Sequence, residues 1–109
     1  MATLTKTLSQ TSPSAASLTD SYTVPAVTQA TVSTITVANR SATPTTFRIS
    51  VAKAGAADDV KQYLFYDVPI TGNDTFAATI GVTLETTDVV RVYATLATLS
   101  FNIFGIEET

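Results

Sequence analysis

The chain has 109 residues, 6 Lys plus Arg against 9 Asp plus Glu, a formal net charge of -3, and no Cys, His or Trp. That size fits one domain. Without Cys or His, this chain cannot build a disulfide, a zinc finger, an iron–sulfur cluster, or a thiol or Ser-His-Asp nucleophile; its acidic balance argues against nucleic acid or an anionic membrane as partner.

Residues 1–20, MATLTKTLSQTSPSAASLTD, hold five Thr, four Ser and only Lys6 and Asp20 as charges. Their large apolar residues are Leu4, Leu8 and Leu18, too few to offset chain entropy by burial. The expectation is an extended N-terminal arm over residues 1–20, preceding a folded domain over residues 21–109. The arm lacks the apolar core of a signal peptide, and no segment reaches the roughly 18 apolar residues of a membrane helix.

From Ser21 the text becomes short runs rich in Thr, Val, Ile, Phe and Tyr, the strand-favouring residues. Residues 22–24 form a short strand stopped by Pro25. Residues 29–38, QATVSTITVA, form a long one whose parity breaks between Val32 and Ile35, so a β-bulge is expected near Ser33 or Thr34. NRSATP at 39–44 is a loop. Residues 45–52 alternate cleanly, with Phe47, Ile49 and Val51 opposed to Thr46, Arg48 and Ser50. KAGAADD at 53–59 is a turn centred on Gly55.

Residues 62–68, QYLFYDV, carry apolar or aromatic residues on both faces, and Pro69 makes the end of that strand an edge or an exit. Gly72, Asn73 and Asp74 signal a turn. A strand follows at 75–80 with Phe76, Ala78 and Ile80 on one face. After a second turn at 85–88, residues 89–94 place Val90, Val92 and Ala94 opposite Val89, Arg91 and Tyr93. In the last strand, 99–104, Leu99, Phe101 and Ile103 point inward. Gly105 is expected to end the fold and residues 107–109 to form an acidic tail.

The expected fold class is all-β, an antiparallel β-sandwich that is jelly-roll-like, with the N-terminal arm outside it. Such a core is small, and oligomerisation is a common supplement. The aromatic set Tyr63, Phe65 and Tyr93 is the candidate subunit interface; the alternative is that these rings fill the far sheet. Threonine occupies 22 positions, hydrophobic residues make up 45% and charged residues 14%. So weakly charged a surface fits a subunit that buries much of itself in an assembly.

Little chemistry is visible. Asp74 and Asp88 are candidates for a glycosidase carboxylate pair, but Asp at turns is explained by local hydrogen bonds to the backbone. Asp58 and Asp59 lack the spacing of a calcium loop. Phosphate-cradling glycine loops and the G-x-S-x-G elbow are absent. The sequons at Asn39 and Asn73 are short enough to arise by chance. Arg40, Arg48 and Arg91 are polar-face strand residues or partners of carboxylates. No catalytic, metal or cofactor residue is expected.

One resemblance is visible along the chain. YTVPA at 22–26, NR at 39–40, FRI at 47–49, YLFYDVPITGNDT at 63–75 and LSFNIFG at 99–105 make it similar to small β-rich structural proteins of tailed bacteriophages and cyanophages. The likeness covers nearly all of residues 22–108 and rests on fold-determining residues. It implies a virion protein made in the host cytoplasm. The first form is a capsid decoration (cement) protein: a homotrimer on the capsid surface whose arms, through Leu4, Leu8 and Leu18, grip the major capsid protein. The alternative is a tail, baseplate or fibre-associated module that contacts host glycan through Tyr63, Tyr66 or Tyr93.

Overall fold

The computed structural model describes residues 2–109. Eight strands run β1 (Thr3–Thr11), β2 (Thr19–Thr23), β3 (Gln29–Asn39), β4 (Thr45–Ala52), β5 (Tyr63–Ile70), β6 (Thr75–Leu84), β7 (Val89–Ala94) and β8 (Leu99–Glu108). Helical structure among the described residues is limited to single 3-10 turns at Lys53–Gly55 and Val60–Gln62.

The pairing has a simple logic. β4 lies against β5, β3 against β6, β2 against β7 and β1 against β8, all antiparallel. This is one long two-stranded ribbon bent between β4 and β5. Rolling the ribbon brings β3 onto β8 and β4 onto β7. Two four-stranded sheets result, one ordered β1-β8-β3-β6 and the other β2-β7-β4-β5. That strand order is the jelly roll, and the expected antiparallel sandwich is what forms.

Alternation places the core. Phe47, Ile49, Val90, Val92, Leu99, Phe101 and Ile103 are fully buried between the sheets. Each such side chain contributes about 1.5–3 kcal/mol by leaving water. The broken parity in β3 is resolved as expected: its register steps between Val32 and Thr34, so Val32 and Ile35 both face inward and Ser33 is exposed.

The N-terminal arm is not what forms. Thr3–Thr11 is the eighth strand of the roll, hydrogen-bonded to β8. Leu4, Lys6 and Leu8 alternate with Thr3, Thr5 and Thr7, whose β-branched side chains suit an exposed strand face. Backbone pairing with β8, rather than side-chain burial alone, holds the segment. Leu8 packs on the core, Leu18 is half-buried in the connection to β2, and only Leu4 is well exposed. The three leucines therefore do not form a free gripping surface. The boundary at residue 20 also disappears, since Thr19–Thr23 is one strand, β2.

The other end of the chain departs from expectation too. β8 runs past Gly105 to Glu108, and Glu107 is buried. Glycine stands at 105 because any methyl there would meet the Thr31 carbonyl oxygen of β3. Beyond the paired strands, Ala2 and Thr109 exchange backbone hydrogen bonds of 3.3 and 3.0 Å.

Candidate functional site

Two polar groupings stand out. The first lies on the outer face of the β2-β7-β4-β5 sheet. Arg48 of β4 sits directly opposite Tyr93 of β7. On its other side the register against β5 steps between Phe47 and Ile49, so Tyr66 and Asp67 together face Arg48. Such a bulge bends the strand and re-aims its side chains. Asp67 takes the left-handed conformation, φ 50°, which Asp tolerates better than bulky residues do.

The result is a clamp. The Arg48 guanidinium lies 4.2 Å from the Tyr66 ring centre and 4.4 Å from that of Tyr93. Its Nε donates to Asp67 Oδ1 at 2.6 Å. Cation–π contacts of this kind contribute about 0.5–1 kcal/mol each at exposed sites. The hydrogen bond to Asp67 holds the Arg48 pKa above its ordinary value. Tyr63 packs edge-on against Tyr66 at 5.1 Å and donates to Asp58 at 2.9 Å. Burial, followed by that bond, raises the Tyr63 pKa. Tyr66 is 56% exposed and Leu64 46%, so the platform is open to solvent.

Of the expected interface set, Tyr63 and Tyr93 lie on this outer face. Phe65 does not. It turns into the sandwich, 6.4 Å from Phe47 and 5.4 Å from Phe76 between ring centres. The alternative reading, that all three rings fill the far sheet, does not describe the set either, since Phe65 alone turns inward. Even spacing put Tyr63 and Phe65 on one face; the register step between their partners Ile49 and Ser50 separates them. Tyr66 and Arg48 are the members that the interface set lacked. Their signal was Asp67, a strand-breaking residue inside an aromatic strand.

The second grouping is internal. Glu107 of β8 accepts from the Tyr22 hydroxyl at 2.5 Å and from Lys6 Nζ at 3.1 Å. Tyr22 crosses from the opposite sheet, so one carboxylate ties β1, β2 and β8 together. The Tyr22 bond, assisted by Lys6 and opposed by burial, lowers the Glu107 pKa. Burial, then the carboxylate, raises that of Tyr22.

The remaining polar candidates are used locally. Asp74 accepts from the Thr75 amide and the Thr71 hydroxyl; Asp88 accepts from the Ala54 and Glu85 amides. These two carboxylates sit in the turns at opposite ends of the ten-residue β6, roughly 30 Å apart by strand rise. They do not form a glycosidase pair. Asp59 caps the 3-10 turn at Val60–Gln62. Arg91 pairs with Asp20, and Arg40 reaches Ser12 and the Ala97 carbonyl. Among the described residues no group of three or more acidic side chains is placed to hold a metal ion. No protein-family model, curated protein or solved structure matches the chain.

Proposed function

We propose that the protein is a structural virion subunit, a capsid decoration protein that docks on the major capsid protein through the outer face of the β2-β7-β4-β5 sheet. The observation that carries this reading is the outer-face clamp of Arg48, Tyr66 and Tyr93, in which Tyr66 is exposed and the other two are half-buried. Tyr and Arg are the residues that dominate protein–protein hot spots. Here they are already fixed by one another and by Asp67, so little side-chain entropy is lost on contact. The phage resemblance supplies the virion as the setting. Docking by a folded face replaces docking by an arm, since residues 3–11 belong to the sandwich.

The alternative, a tail or fibre module binding glycan, draws on the same tyrosines. It is less favoured because Arg48 already covers one face of each ring, which leaves less aromatic surface for a sugar. Co-sedimentation with assembled capsid shells tests the proposal. Wild type is expected to pellet with the shells, and the double variant Arg48→Ala, Tyr66→Ala to stay in solution. Equal pelleting of the two proteins, or glycan-array binding without capsid binding, would overturn it.

A further inference from the structure

Strand β1 is held differently along its length. It is an edge strand, so its ladder runs on one side only, to β8. From Ser9 to Thr11 every residue adds a side-chain bond. The Ser9 and Thr11 hydroxyls share the Ser21 hydroxyl of the opposite sheet at 2.8 and 2.7 Å, and Gln10 Nε2 donates to Asn102 Oδ1 at 2.8 Å. Beneath this half the inward row of β8 is Phe101 and Ile103, both fully buried.

From Thr3 to Thr7 every residue is exposed, on the inward row as on the outward one. Leu4 and Lys6 stand opposite the inward positions Glu107 and Gly105, so they find no apolar floor. Among the described residues one side-chain bond ties this half down, Lys6 to Glu107, and the lysine is itself open to water. Such a stretch gains ladder bonds but little burial, while each of its residues surrenders backbone freedom.

A single residue separates the two halves. The register steps between Thr7 and Ser9, which leaves Leu8 as the extra residue of a β-bulge. Leu8 packs on the core. Its Cδ1 lies 3.0 Å from the point where a Gly105 side chain would begin, so the leucine fills the space that the glycine leaves. Leu8 is a peg, with cross-linked strand on one side of it and nearly bare ladder on the other.

We propose that Thr3–Thr7 is a strap that opens from β8 as one unit, hinged at Leu8, while Ser9–Thr11 and the rest of the sandwich stay folded. Closed, the strap covers the edge of β8 from Phe104 to Glu108. Open, it bares that edge together with the half-buried Phe104 and Ile106, and leaves the buried core between the sheets intact. Glu107 keeps its bond from Tyr22 of β2, so the buried carboxylate still has a partner when Lys6 departs. The Arg48 clamp belongs to the other sheet, and opening does not disturb it.

Amide hydrogen exchange on the full chain, resolved by NMR, reads the two halves separately. The ladder amides of residues 3–7 are expected to exchange faster than those of residues 9–11 by at least about a hundredfold, because openings range from near zero at loose segments to the global value in the core. β8 supplies an internal control. Its amides are divided between β1 and β3, and over residues 104–108 only those bonded to β1 should exchange with the strap. Lys6→Ala should speed residues 3–7 by about two- to fivefold, the range of an exposed ion pair, and leave residues 9–11 unchanged. Ser21→Ala should do the reverse. Equal protection from Thr3 to Thr11, a smooth gradient without a step at Leu8, or either variant acting on both halves alike would overturn the proposal. The measurement involves no capsid, so failure here is distinguishable from failure of the docking proposal.

Discussion

Strand β8 carries two different interiors along one row. At its start Leu99, Phe101 and Ile103 are fully buried, with Phe101 packed edge-on against Phe47 at 6.1 Å. At its end the same inward row reads Gly105 and Glu107, and the carboxylate is answered by Tyr22 and Lys6. The first end is held by apolar area and shape, which have no direction and no charge. The second is held by a few directional bonds, each costly to leave unmade once buried. One end gives the sandwich its stability, and the other ties the outermost strand of each sheet to the roll.

The largest expected effect lies at the apolar end. Phe47→Ala removes a ring that meets Phe65, Phe76 and Phe101, and should cost about 3–5 kcal/mol in denaturant unfolding. At the seam between the two interiors, Gly105→Ala forces a methyl against the Thr31 carbonyl oxygen. The cost is about 1–3 kcal/mol, with faster amide exchange in β3 and β8. Tyr22→Phe leaves Glu107 with Lys6 alone and should cost about 1.5–3 kcal/mol, the range for hydrogen bonds to charged groups. Lys6→Ala removes a partner that is 44% exposed; less than about 1 kcal/mol is expected. A Lys6 effect as large as that of Phe47 would erase the distinction between the two ends.

The polar end should also respond to pH where the apolar end does not. Glu107 is held below its ordinary value of 4.5, first by the Tyr22 hydrogen bond. Its contribution is complete above pH 4.5 and is lost as pH falls through the lowered value. Tyr22 is raised above 10.0, first by burial. Its contribution is complete below pH 10 and is lost as pH rises through the raised value. Unfolding midpoints measured across pH should fall at both extremes. Glu107→Gln should flatten the acid limb and Tyr22→Phe the alkaline one.

The strands at 45–52, 89–94 and 99–104 were legible because each buries one face, and burial writes a period of two into the residues. The bulge in β3 was legible for the same reason, as a break in that period. β1 was not, because an edge strand with one poorly buried face leaves few apolar marks. Its strict exchange of Thr3, Thr5 and Thr7 with Leu4, Lys6 and Leu8 was the available clue. The carboxylate of Glu107 read as tail because its partners lie 85 and 101 residues away, beyond any local pattern. In the clamp, Arg48 and Tyr93 were on the expected outer faces. Their union with Tyr66 depended on the Asp67 bulge, and backbone steps of this kind are weakly written in side-chain order.

The hydrogen bonds between Ala2 and Thr109 make the fold close to a closed ring. A short flexible linker between those residues would join them with little loop-closure cost. The chain could then be reopened in the exposed 53–59 turn, yielding a circular permutant with the same sheets and a different order of synthesis. β1 and β8 would become a covalent hairpin, and the strand most dependent on distant residues would acquire a neighbour in sequence.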